Sequence, residues 1–186
     1  MAALKPKGQR REYDVYETPE WCVKALLKII PINKDWTYVE PCRASGRIYN
    51  HLPIGTAWGE IREGVNYLTE DYPHVDCCIT NPPYSEAQAF VEKARGHSDV
   101  VIMLLRGGFL GSYVRHEWWK LNKPTSLLVF SDRPSFTDDG KTDGSEYFWY
   151  VWDPKNRLGL DPFYFLSAED GGWNKPRDRG KGKTKK

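Results

Sequence analysis

Residues 75–84 read Val-Asp-Cys-Cys-Ile-Thr-Asn-Pro-Pro-Tyr, an apolar run that breaks into two prolines and an aromatic ring. Val75–Thr80 has the composition of a short strand buried on both faces, the kind that belongs to a parallel sheet. In an open parallel sheet, ligands bind beyond the carboxyl ends of the strands, so Asn81-Pro82-Pro83-Tyr84 falls where a site is expected. The prolines stiffen the turn and remove two N–H donors, leaving carbonyl acceptors. Asn81 adds a side-chain carbonyl and Tyr84 a flat face, a pairing that suits a planar substrate carrying an NH2 group. A rigid turn closed by an aromatic plug is the other reading of the same four residues.

Outward from this stretch, Asp99–Leu105 (DVVIMLL) is the strongest buried-strand signal in the chain. Upstream, Thr18-Pro19-Glu20 reads as a helix start, with Thr18 as the cap and Pro19 at the first helical position. That helix runs to about Ile30 and is stopped by Pro31. Trp36–Glu40 and Thr56–Glu60 read as strands, separated by the small-residue turn Arg43-Ala44-Ser45-Gly46 and a short helix over Arg47–Leu52. Ser85-x-x-Gln88 is a capping box for a helix to about Arg95. Tyr113–Lys120 reads as helix, and Ser126–Phe130 and Tyr147–Trp152 as strands. The alternation predicts an α/β fold: a mostly parallel sheet with helices on both faces and an antiparallel edge pair after residue 125.

At 186 residues and 40% hydrophobic content, the chain fits one domain with a real core. Its four cysteines have neither CxxC nor Cys/His ligand spacing, which argues against a disulfide scaffold and a structural zinc site and predicts no metal. A reducing, cytoplasmic setting fits that usage. No apolar run approaches the roughly 18 residues that span a bilayer, so no membrane partner is expected. The net charge of +2 conceals a strong asymmetry. Residues 1–11 carry +4 and residues 174–186 carry +6, leaving −8 on the 162 residues between them. A basic arm over 1–15 and a basic tail over 171–186, with a 16–170 domain between, can hold a polyanion or merely keep the chain soluble. Residues 132–145 form one long polar loop, the kind that is usually functional or disordered.

Asn-Pro-Pro-Tyr in this position resembles the signature of class I (Rossmann-like) methyltransferases that use S-adenosylmethionine and act on planar amines. Other family elements have counterparts in chain order. Tyr16-Glu17-Thr18-Pro19 resembles the segment at the cofactor's methionine end, and Glu40-Pro41-Cys42-Arg43-Ala44-Ser45-Gly46 resembles the loop beneath the cofactor. Glu60 falls where an acid holds the ribose hydroxyls, and Asn66-Tyr67-Leu68 where the adenine ring packs. The nearest likeness is to the small DNA adenine-N6 methyltransferases of phages and plasmids, which implies the cytoplasm of a bacterial or phage-infected host. There Arg133-Pro134-Ser135-Phe136, Gly140-Lys141, Asp143 and Ser145-Glu146-Tyr147 also have a parallel. The resemblance covers about residues 16–152. Ala44 stands where the first loop glycine is usual, which suits a loop needing no positive φ there. Asn66 replaces an aspartate, and Glu60 follows Gly46 by only 14 residues, so the intervening helix must be short.

The resemblance implies transfer of a methyl group to adenine N6 in DNA, after the base leaves the stack to lie against Tyr84. Asn81 and the Pro82 carbonyl would accept the two amine hydrogens and localise the lone pair, so no strong base is required. Arg106 and Arg115 are candidate phosphate contacts or surface charges, and Arg133, Lys141 and Ser145 are candidates for reading the target. His51, His74, His97 and His116 are scattered and read as structural. Tyr147, Phe148, Trp149, Tyr150 and Trp152, with Trp118-Trp119, read as sheet core or as base-stacking rings. RNA adenine, a protein glutamine amide and an inactive nucleic-acid-binding protein on the same fold are the rival readings.

Overall fold

A computed structural model describes residues 17–136, 142 and 144–173. The chain builds a single seven-stranded sheet: β1 (Tyr38–Glu40), β2 (Ala57–Trp58), β3 (Val75–Thr80), β4 (Ser98–Arg106), β5 (Ser126–Phe130), β6 (Tyr147–Trp152) and β7 (Phe163–Leu166). Their order is β2-β1-β3-β4-β6-β5-β7. All pairs are parallel except those of β6, which runs antiparallel to both β4 and β5. The expected antiparallel pair is therefore present, and β7 continues the sheet beyond it by pairing in parallel with β5.

Alternation along the buried strands sends side chains to two separate cores. From β4, Val100, Ile102 and Leu104 join α1 (Glu20–Ile29) through its Cys22, Val23 and Leu26. Val101, Met103 and Leu105 face α2 (Ala87–His97) through its Phe90, Val91 and Ala94. The aromatics of β6 divide in the same way: Trp149 belongs to the first core, and Tyr150 and Trp152 to the second. Their core reading holds. Trp118 and Trp119, on the short α3 (His116–Leu121), pack against Phe109 and Tyr150.

Both parallel pairs beside β3 run upward in the same sense, so β1, β3 and β4 deliver Pro41, Asn81 and Gly107 to one end of the sheet. Two local expectations are corrected. The Ser85/Gln88 capping box does not form: α2 has no side-chain cap, and Gln88 bonds Glu92 instead. Gly171, placed in the tail on composition, is buried, and a Cβ there would lie 2.1 Å from the Trp21 carbonyl oxygen. Among the described residues no helix is long and apolar enough to cross a membrane. All four cysteines are free, and no group of possible metal ligands gathers among the described residues.

Candidate active site

One wall of the site is made where β1 and β2 end side by side. Gly59 N–H donates to the Glu40 carbonyl at 2.9 Å, and Arg43 N–H to the Gly59 carbonyl at 2.9 Å. A Cβ on Gly59 would stand 2.6 Å from the Pro41 oxygen, so only glycine lets the two segments approach. Nothing in the local pattern singles out this residue. In the loop that follows, Ala44 has φ +48° and Gly46 φ +87°. Ala44 thus needs the positive φ that its identity argued against. It is held there by its N–H, which donates to Glu60 Oε2 at 2.7 Å. Glu60 Oε1 accepts from the Arg62 backbone at 3.1 Å and from its Nε at 2.8 Å. Burial alone would raise the Glu60 carboxyl; the hydrogen bonds from Arg62 and Ala44 outweigh it and hold the pKa below the ordinary value. Arg43 bonds both oxygens of Glu63 and lies 3.8 Å over the Trp58 ring.

Glu40 is 1% exposed, and its Oε2 has no hydrogen-bond partner among the described residues. Burial pushes this carboxyl well above its usual range, with Glu60 and Glu17 adding to the effect against Arg43. A buried carboxyl with one unpartnered oxygen, beside further acids, is a place for a cation.

The opposite wall is the end of β3. Asn81 Nδ2 donates to Thr18 Oγ1 at 3.0 Å. Thr18 therefore does not cap α1, whose N-cap is Pro19 with no side-chain bond; the tertiary partner has won over the local one. Of the two proline carbonyls, that of Pro83 accepts from Glu86 N–H at 3.0 Å and leads the chain into α2. Pro82 is buried. The Tyr84 ring meets Phe136 edge-on at 6.4 Å and Tyr147 at 5.6 Å. Phe136, within the nominally polar loop, is 8% exposed. The Arg106 guanidinium lies 5.0 Å over the Tyr84 ring, and its Nε donates to the Tyr147 hydroxyl at 3.1 Å.

Between the walls is a cavity of 310 Å³ lined by Thr18, Glu40, Pro41, Cys42, Ala44, Glu60, Asn66, Tyr67, Asn81 and Pro83, all candidates from the sequence. Ile61, Val65 and Phe90 line it as well, apolar residues from separate segments that no spacing marks. Asn66 Oδ1 accepts from Leu68 N–H, forming a turn. Tyr67 is buried, stacks on Phe90 at 5.3 Å, and has its hydroxyl 2.6 Å from His97 Nε2. Burial holds the His97 imidazole below its ordinary pKa. Pro19, Gly46, Leu68, Pro82 and Tyr84 do not line the cavity. Arg115 is not at the site: it lies over Phe109 at 4.5 Å and donates to the Phe109 carbonyl. Arg133 pairs with exposed Glu146 at 3.0 Å, and half-buried Ser145 precedes that glutamate. Tyr16 and Lys141, the arm over 1–15 and the end of the tail over 174–186 lie outside the described residues.

No protein-family model matches the chain, and no curated protein matches it. Solved structures do. A protein of Pyrococcus horikoshii described as an RNA methyltransferase is 16% identical, with a TM-score of 0.57 over 75% of this chain and 87% of its own. A protein of Listeria monocytogenes described as a class I S-adenosylmethionine-dependent methyltransferase is 10% identical, with a TM-score of 0.54 over 81% and 65%. The type I restriction-modification methyltransferase subunit of Streptococcus thermophilus is 14% identical, with a TM-score of 0.55 over 86% and 48%, so this chain spans about half its length. What these proteins share with the present chain is the sheet and its connections, the Rossmann-like class I methyltransferase fold.

Proposed function

We propose that the protein transfers a methyl group from S-adenosylmethionine to the N6 amine of adenine in DNA. One observation carries the reading: Asn81 and its proline turn stand at the rim of an acidic cavity, with the Tyr84 ring and Arg106 beside them. The cavity's donors suit this cofactor, since buried Glu40 and neighbouring Glu17 and Glu60 favour a cationic ligand, while Ile61, Tyr67 and Phe90 offer apolar contact to a flat ring. Glu60 would hold the ribose hydroxyls, and Asn66 and Tyr67, which line the cavity, would bound the adenine. When bound, S-adenosylmethionine supplies an electrophilic methyl group on sulfur.

The chain's own task is to make a poor nucleophile attack. The adenine amine's lone pair is delocalised into the ring. Asn81 is oriented by its Nδ2, which donates to Thr18 Oγ1 at 3.0 Å, and the role proposed for its side-chain carbonyl is to accept an amine hydrogen. The Pro82 carbonyl is the second acceptor. Together they localise the lone pair and stabilise the positive charge that grows on N6. The Tyr84 face receives the flipped base, with Arg106 fixing the ring from its other contacts. Arg133, Ser145 and Lys141 remain the proposed readers of the target.

Asn81→Ala is expected to cut the single-turnover rate by roughly 10²–10³ while leaving cofactor affinity and melting temperature near wild type. Asn81→Asp keeps an acceptor oxygen and should retain more. An alanine variant that is active but poorly folded would make the turn structural and end this mechanism. Labelled-methyl transfer to DNA, RNA and protein in parallel tests the substrate, and transfer to RNA or protein alone would overturn the assignment to DNA.

A further inference from the structure

Seven residues beyond Arg106, the chain displays two apolar side chains that the folded monomer does not use. Tyr113 is 96% exposed and Val114 is 88% exposed. They sit on a single 3-10 turn, Tyr113–Arg115, after the glycine-rich run Gly107-Gly108-Phe109-Leu110-Gly111. The turn is braced from below rather than loose. Arg115 donates to the Phe109 carbonyl and covers the Phe109 ring, Trp119 Nε1 bonds the same carbonyl at 3.3 Å, and Phe109 is buried among Trp118, Trp119 and Tyr150. At its other end the run is tied to the sheet by Gly107 N–H, which donates to the Glu146 carbonyl at 2.8 Å.

Its place in the fold is what gives this knuckle meaning. β4 is parallel to β3, so the run leaves the sheet at the end where Asn81 stands, directly after the arginine that rests on Tyr84. α3 then carries the chain away, reaching Trp152 and Arg95 through Asn122. Residues 100–116 include Arg106 and Arg115 and no acid, and the exposed Glu117 that follows is paired with Lys120. Of the other exposed apolar side chains, Leu121 ends α3, Ile61 lines the cavity, Ile54 lies ahead of β2, and Phe163 and Phe165 are on the far edge strand. A flipped base leaves a gap in the stack, and proteins that distort a duplex insert apolar wedges between base steps.

Resting on the function proposed above, we propose that Tyr113 and Val114 form the wedge that enters the base stack of duplex DNA and fills the place of the extruded adenine. Arg115, held on Phe109, braces the wedge from beneath. The wedge matters only when there is a stack to open. It is needed on duplex DNA and dispensable on a single strand, whose bases are already accessible.

The test uses the full chain and labelled-methyl transfer to a linearised plasmid, either native or denatured and snap-cooled. Tyr113→Ala is expected to lower transfer to native DNA at least tenfold and to stay within twofold of wild type on the denatured form. Tyr113→Phe should restore transfer to the duplex, and Phe163→Ala, which removes an exposed ring from the far edge, should stay within twofold on both. Equal loss on both forms, or no loss on the native one, overturns the wedge. A wild-type protein that transfers no methyl to either form overturns the proposed function and the wedge with it, whereas failure of the wedge alone leaves wild-type transfer intact.

Discussion

Ala44 holds a left-handed backbone conformation, φ +48°, that costs an L-residue roughly 1–2 kcal/mol. The loop keeps it there because its N–H satisfies Glu60, whose carboxylate is also bound by Arg62. Ala44→Gly removes the strain but adds freedom to the unfolded chain, a term worth about 0.4–1 kcal/mol. The two nearly cancel, with the balance toward glycine. The melting temperature of Ala44→Gly is therefore expected to be equal to wild type or up to about 4 °C higher, by thermal melts followed by circular dichroism. A clear drop would mean that the alanine methyl is needed for packing against the cavity.

At the scale of elements, β3 and β4 are locked together at their starts by Arg157. Its guanidinium bonds Asp76 on β3 at 2.7 Å and Asp99 on β4 at 2.8 Å, and lies 4.2 Å over Trp36. Hydrogen bonds from the Thr37 backbone and then from Arg157 lower the Asp76 pKa to about 2. A carboxylate depressed in the fold stabilises it above the unfolded pKa, about 3.9, and that contribution is lost as pH falls toward 2. Arg157→Ala should thus melt below wild type at neutral pH, with the deficit narrowing from about pH 4 down to about pH 2. An equal deficit at every pH would assign the residue to stacking on Trp36 instead. The same two strands were the most legible part of the sequence, because burial on both faces writes a nearly continuous apolar run, broken in β3 by Asp76. β7 was not legible: Phe163-Tyr164-Phe165-Leu166 is short, follows Pro162, and leaves both phenylalanines exposed at an edge. In the site, Asn81, Glu40 and Glu60 could be read because each falls in, or at the expected place beside, a short stretch that resembles a family motif, Asn81–Tyr84 and Glu40–Gly46 above all. Gly59, Phe90 and the resting place of Arg106 on Tyr84 depend on approaches between distant segments, which leave no local pattern. Thr18 was legible as a cap and is instead bonded to a residue 63 positions away.

At the scale of the whole molecule, the proposed DNA binding would assign the polyanion to the basic ends of an otherwise acidic chain. Removing residues 174–186 takes away a net +6 and is expected to weaken DNA binding and flatten its salt dependence, by about 0.9 in the log–log slope for each phosphate that the tail no longer neutralises. Transfer at saturating DNA should change little, and an unchanged slope would exclude the tail as a DNA-binding element. The position of β6 bears on something else, the order in which the molecule can assemble as it is made. Among the described residues, every one that lines the cavity lies between Glu17 and Phe90, yet β4 beside them is flanked on its other edge by Tyr147–Trp152. While the ribosome is still translating the segment between, β4 is an open edge, and β5 has been synthesised without the strand that joins it to the rest. The sheet closes late, when an antiparallel strand arriving from the carboxyl side is threaded between two that have waited for it.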